Sequence, residues 1–223
     1  MIPKIIYQTW YSKELPTEIQ NEINEMMKIN NDWERKMYDD NDIETFIKDN
    51  FDINTLNIYK RLNIGAAKAD LWRYMVLYKY GGVYLDIDSI IKKPLSELIK
   101  DDDKLIVSRE GNKGYFVQWC LICEKGNKVM EECIKECLYN IENLDSNDIH
   151  VITGPTVYRN VLEKLYGKSI YYTDDQTLNN KYADVRFYGC DYEEFADFKN
   201  KNYRLLYKNK TPWKYEQVYK KVK

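Results

Sequence analysis

The chain has 223 residues, 44% of them hydrophobic, which is enough to bury a full core and reads as one globular domain over 1–223 rather than a fragment. Thirty-four basic against 36 acidic residues leave a formal charge of -2, which excludes a global field recruiting nucleic acid or an anionic surface. No run of roughly 18 apolar residues occurs, the opening MIPKIIYQTW lacks a small-residue cleavage site, and five cysteines are too few and odd in number for a disulfide framework. The expectation is a soluble, unexported protein with no transmembrane segment, in a reducing compartment: the cytoplasm, or a host cytoplasm if the source is viral.

In chain order, KIIYQTW predicts a first strand that runs into a loop at Ser12 to Pro16. Thr17 with Gln20 reads as a capping box for a helix through Ile29, and Asn41 with Glu44 as a second box before IETFIKD. Ala66 to Tyr80 is composed of good helix formers and is stopped by Gly81-Gly82. Val83 to Ile90 follows as a buried strand, DDDK at 101–104 as a turn, and KLIVSRE and GYFVQWCLICE as two strands around Gly111 to Gly114. Asn127 to Asn143 reads as a helix, and Gly154-Pro155 opens another to Tyr166 with proline in its first turn. Alternating strand and helix signals predict a single α/β domain. Within it, 101–150 reads as an inserted or acceptor-side subregion, and 199–223, with nine basic residues and one acid, as a basic C-terminal segment.

The chemistry concentrates in GGVYLDIDSI at 81–90. On an extended strand Tyr84, Asp86 and Asp88 share one face, with the aspartates about 7 Å apart, and both carboxylates look into the same space. A magnesium-like ion takes one or two carboxylates plus phosphate oxygens and waters, and ligands in open α/β sheets gather beyond the carboxyl ends of strands. An isolated D-x-D is more often two solvated acids at a strand end. The preceding helix shifts that balance: plotted at about 100° per residue, Lys68 and Lys79 mark the wet edge, while Asp70 and Arg73 lie opposite among Ala66, Leu77 and Tyr74. An ion pair facing the protein costs desolvation; a buried structural pair is one reading, and the favoured one is a cleft wall in which Arg73 forks onto phosphate oxygens and Asp70 accepts from sugar hydroxyls.

AKADLWRYMVLYKYGGVYLDIDSI resembles the signature of the DXD-type sugar transferases of glycosyltransferase family 32, which include yeast initiating mannosyltransferases and are related to clostridial toxin glucosyltransferase domains. IPKIIYQTW also resembles that family's start, with Tyr7 where relatives usually carry His; HVITGP at 150–155 and KTPW at 210–213 match more loosely. The resemblance implies a GT-A fold, a Rossmann-like nucleotide-sugar-binding sheet. It also implies transfer of a hexosyl unit from a UDP- or GDP-sugar to a glycan or protein hydroxyl with retention, assisted by Mn2+ or Mg2+. By the same resemblance Trp10, with Thr9 beside it, holds the donor base. Asp70 and Arg73 serve the donor sugar and phosphate side, Tyr84 and Asp86 the sugar and ribose, and Asp88 ligates the metal. Thr211 and Trp213 close over the diphosphate. Relatives carry a metal-ligating His or Glu five residues before that tryptophan, where this chain has Lys208, which does not ligate while protonated; Asn209 or water then takes the place, or Lys208 itself neutralises phosphate.

Other features carry blander readings. Cys120, Cys123, Cys133 and Cys137 suggest zinc but fit small core residues better, His150 is the only histidine, and Gly154-Pro155 either aims a helix N-terminus at a ligand or punctuates a helix start. VYLDIDSI also resembles the first motif of haloacid dehalogenase phosphatases, but Asp174-Asp175 lacks that family's metal-pair spacing. A non-catalytic nucleotide-sugar-binding module is the remaining alternative, with Lys208 its best support.

Overall fold

The computed structural model describes residues 1–111, 114–193 and 195–198, with side chains of 197 and 198 excluded. In chain order the elements are β1 Ile5–Thr9, α1 Thr17–Ile29, β2 Glu34–Tyr38, α2 Asp40–Asn50, α3 Ile53–Tyr59, α4 Gly65–Tyr80, β3 Gly82–Leu85, β4 Ser89–Ile91 and α5 Leu95–Leu98. There follow β5 Leu105–Glu110, β6 Tyr115–Phe116, β7 Cys120–Cys123, α6 Lys128–Asn143, α7 Ile149–Ile152, α8 Pro155–Tyr166, a 3-10 turn at Lys168–Tyr171, α9 Asp175–Lys181, β8 Arg186–Cys190 and β9 Ala196–Phe198.

A mixed sheet in the order β2-β1-β3-β7-β5-β6, with β8 on β5, forms the centre. Strand β1 is parallel to both β2 and β3, so their carboxyl ends, at Thr9, Tyr38 and Leu85, come out on one side. β7 runs antiparallel to β3, and 101–150 contributes β5, β6 and β7 to this sheet.

Helix α4 lies on one face and is buried nearly all round, with Asp70 to Leu77 continuously inside. The sheet meets it through Tyr7 and Tyr84, α2 through Phe46, and α6 through Cys133 and Cys137. The opposite face, with Ile6, Val83 and Leu85, forms a second cluster with Met26 of α1 and Leu95 of α5. The double glycine is a packing requirement as well as a helix stop. Gly81 and Gly82 have φ of 69° and 108°, and a Cβ would lie 2.5 Å from the Lys125 nitrogen and 2.7 Å from the Ile5 carbonyl oxygen, respectively.

Local chemistry corrects several expectations. Thr17 is the first residue of α1 rather than its cap; Pro16 precedes it, and Gln20 donates along the helix to Asn24. The capping box of α2 is Asp39 with Asp42, so the helix starts before Asn41. GYFVQWCLICE breaks into β6 and β7, with 117–119 between them. The largest correction concerns Val83 to Ile90. Strand β3 ends at Leu85, the chain turns at 86–88 with the Ser89 N–H on the Asp86 carbonyl at 3.0 Å, and β4 restarts to pair with β9. Asp86 and Asp88 therefore flank a turn and do not alternate along one extended strand.

Candidate active site

Spacing on α4 puts Asp70 and Arg73 on one helical face, three residues apart. The Arg73 Nη2 lies 3.0 Å from Asp70 Oδ1 and 3.1 Å from Asp86 Oδ1, so the helix and the end of β3 are joined through a single guanidinium. Its Nη1 donates to the Gln118 carbonyl at 2.9 Å, its Nε reaches the Ala69 carbonyl at 3.4 Å, and its carbon sits 4.5 Å from the Tyr84 ring centre. The fork that the sequence offered to phosphate is thus occupied by protein oxygens, and Arg73 is 5% exposed. Tyr84 is buried as well, and its hydroxyl donates to Asp86 Oδ1 at 2.6 Å. Both contacts fall on Oδ1, and the Asp86 side chain keeps 23% of its surface.

The backbone of Asp86 is fixed from both sides: its N–H donates to the Trp119 carbonyl just before β7 at 2.8 Å, and Gln8 Nε2 of β1 reaches its carbonyl at 3.4 Å. Gln8 is fully buried and held in turn by Arg35 Nε at 2.6 Å. Asp70 Oδ2 accepts from the Thr153 hydroxyl at 3.2 Å. Burial pushes the Asp70 carboxyl up to about 6, although Arg73 and the Thr153 hydrogen bond pull the other way. Burial also works against the Arg73 charge, but Asp86 foremost, then Tyr84 and Asp70, outweigh it and hold the guanidinium above its ordinary range.

Trp10 meets this site from the other face of the sheet. It packs on the small cluster of Ile19, Ile23 and Ile87, so the apolar middle residue of the 86–88 turn shares its packing with the tryptophan from the start of the chain. Thr9 donates its hydroxyl to the Tyr38 carbonyl at 2.9 Å, an oxygen that also accepts the Trp10 N–H at 3.2 Å. Asp88 is half-buried in the turn. The structure thus brings together Asp70, Arg73, Tyr84 and Asp86, with Asp88 and Trp10 at the same turn. Lys208, Asn209, Thr211 and Trp213 lie outside the described residues.

Sequence reasoning missed Gln8, Gln118 and Thr153. Gln118 holds Arg73 through its backbone carbonyl, a contact that leaves no sequence signal, while its side-chain amide reaches the Tyr74 hydroxyl and the Thr153 carbonyl; Gln8 lies inside QTW, and Thr153 inside HVITGP. The competing readings find their residues employed elsewhere. Asp174 caps α9, and Asp175 pairs with Arg109 and accepts the Gly189 N–H at 2.7 Å. The four strand and helix cysteines are buried, with thiols raised by desolvation, and among the described residues no group of three or more His, Cys, Asp or Glu converges.

Residues 16–105 match the family model described as the glycosyltransferase sugar-binding region containing DXD motif. An uncharacterized glycosyltransferase of Acanthamoeba polyphaga mimivirus is 36% identical over 101 residues, 44% of this chain and 40% of that protein. Inositol phosphoceramide mannosyltransferase 1 of Schizosaccharomyces pombe is 30% identical over 121 residues, 53% of this chain and 37% of its own length. The chain thus spans well under two thirds of these curated relatives. The solved PaToxG glycosyltransferase is similar with a TM-score of 0.60 over 81% of this chain and 73% of that one, at 19% identity, which speaks to the fold. Over residues 16–105 this chain is thus similar to the glycosyltransferase sugar-binding regions that contain a DXD motif, and its mixed α/β domain has the fold of solved glycosyltransferase domains of the GT-A kind.

Proposed function

We propose that the protein is a retaining glycosyltransferase that moves a hexosyl unit from a UDP- or GDP-sugar to a glycan or protein hydroxyl, acting in the cytoplasm and assisted by Mn2+ or Mg2+. The observation that carries this reading is Arg73: a buried cation bound to both Asp70 and Asp86, set directly behind the turn that holds the second aspartate of the DXD motif.

The donor set fits such an ion. Among the described residues it consists of the carboxylates of Asp86 and Asp88, and Asp86 is held at Oδ1 by Tyr84 and Arg73 while its side chain keeps 23% of its surface. Hard cations of this class take one or two carboxylates and complete their shell with phosphate oxygens and water. Asp88 and Asp86 would hold it, with Asn209 as a further ligand. When bound, the ion would neutralise charge that builds on the departing diphosphate.

The protein's own groups have distinct tasks in this reading. Asp86 contacts the ribose or sugar through the surface that its side chain keeps. Asp70, Arg73 and Tyr84 act mainly through Asp86, fixing its carboxylate and adding a buried positive charge behind the diphosphate, where fixed charge stabilises the leaving group without reorganisation. Trp10 stacks on the donor base with Thr9 alongside, Lys208, Thr211 and Trp213 cover the diphosphate, and 101–150 borders the acceptor. The test is turnover of a panel of UDP- and GDP-sugars with and without manganese, by wild type and Asp86→Ala. Release of nucleoside diphosphate by the wild type alone supports transfer chemistry. Saturable donor binding with no release under any condition leaves a nucleotide-sugar-binding module instead.

A further inference from the structure

HVITGP is the stretch that the proposed reaction leaves without a task. Thr153 is the C-cap of α7 and is fully buried. Its hydroxyl donates to Asp70 Oδ2 at 3.2 Å, on the side of the carboxylate away from Arg73. Its carbonyl lies 3.5 Å from Gln118 Nε2, in the residue whose own carbonyl receives Arg73 Nη1. Two of the Arg73 partners, Asp70 and Gln118, therefore contact Thr153, Gln118 through an amide that also reaches the Tyr74 hydroxyl.

The short helix that carries Thr153 is pinned in place. Asn140 of α6 donates to the carbonyls of Val151 at 3.0 Å and Ile152 at 3.3 Å. Gly154 follows, and space rather than φ requires it there: a Cβ would lie 2.9 Å from the His150 Cα, 3.0 Å from the Ile149 carbonyl oxygen and 3.3 Å from Asp70 Oδ2. Any side chain at 154 pushes either α7 or the Asp70 carboxylate.

We propose that Thr153 and Gly154 form a positioning element for the transfer site, holding the Asp70 carboxylate in the one orientation that keeps Arg73 on Asp86. The hydroxyl restrains Oδ2, the missing side chain leaves room for it, and Oδ1 then meets the guanidinium. This assigns the TGP triplet to the sugar-transfer machinery rather than to helix punctuation, and it rests on the transferase reading for its kinetic consequence. Thr153 touches no substrate; its effect passes through Asp70 and Arg73.

The test is a double-mutant cycle between Thr153→Val, which keeps the shape and removes the hydroxyl, and Asp70→Ala, read by donor turnover. Thr153→Val should lower kcat about 10- to 100-fold, the range expected for a hydrogen bond to a charged group, while KM for the donor changes less than about threefold. Thr153→Ser should restore kcat to within about threefold of wild type. In the Asp70→Ala background Thr153→Val should cost less than about twofold more, because the carboxylate it restrains is gone. Gly154→Ala should reproduce the kcat loss with the hydroxyl still present. Wild-type kcat in Thr153→Val, or effects that multiply across the cycle, would overturn the positioning role. If the wild type turns over no donor, the same cycle is read from urea midpoints: coupling there keeps the element and removes the transferase reading, while additive shifts remove the element itself.

Discussion

Tyr84 and Asp88 are four residues apart and are built into opposite environments. Tyr84, with Asp70 and Arg73 behind it, lies in the buried interior, where α4 is enclosed by the sheet, α2 and α6. Asp88 sits beyond the end of β3 in a turn closed by a backbone hydrogen bond. Asp86 joins the two: it is bound from behind by Arg73 and Tyr84 and partly open in front. The comparison teaches how a DXD motif is divided between support and contact. The buried half spends desolvation energy to fix one carboxylate, and in the proposed reading the half-buried turn is the part that meets the donor.

The largest expected effect breaks the buried half. Arg73→Ala leaves Asp70 and Asp86 without their shared cation in a dry site, so the fold should lose about 3–5 kcal/mol in urea unfolding, together with all turnover. A loss under about 1 kcal/mol would show that water reaches the pair and that the site is not the closed one described.

The next effect is pH dependence. Asp70 is raised to about 6 from 3.8, chiefly by burial, so between those values the folded state holds a proton that the unfolded state has released. Its contribution therefore favours the fold at low pH, is lost as pH rises through that window, and is constant above about 6. The window corresponds to about 3 kcal/mol. Asp70→Asn should remove this part of the slope when unfolding free energy is compared with wild type from pH 4 to 7; parallel curves would place Asp70 in solvent.

Smaller effects belong to the open side. Trp10→Ala should weaken free nucleoside diphosphate and intact donor by similar factors, on the order of 1 to 3 kcal/mol as for other base-stacking contacts. A loss confined to turnover, with nucleotide affinity intact, would detach Trp10 from the base. Stability changes measured alongside separate this from its packing on Ile19, Ile23 and Ile87.

The same division explains what the sequence made legible. Helix α4, its stop at Gly81 and the apolar run of β3 follow from local propensity and burial, and all were readable. The inward face of Asp70 and Arg73 was readable too, because Lys68 and Lys79 mark the opposite edge of the helix. The turn at 86–88 was not, since what ends β3 and restarts the chain as β4 is pairing with β9 at 196–198, over a hundred residues away. A period-2 pattern cannot distinguish a strand that continues from one that changes partner. The two capping boxes failed for a local reason: Pro16 and Asp39 claimed the cap positions one and two residues ahead of the residues that matched the motif. Gln8, Gln118 and Thr153 act through buried or backbone contacts made only when β1, 117–119 and α7 converge on Asp86 and Asp70.

The central claim is that the turn after β3 binds a donor diphosphate through a cation while the buried half only supports it. Calorimetric titration of UDP and GDP with and without manganese, into wild type and Asp88→Ala, tests it most directly. The account predicts that Asp88→Ala unfolds within about 1 kcal/mol of wild type, as a change outside the core should, yet loses the manganese-dependent part of nucleotide binding. Unchanged manganese-linked affinity in a folded Asp88→Ala protein would contradict it.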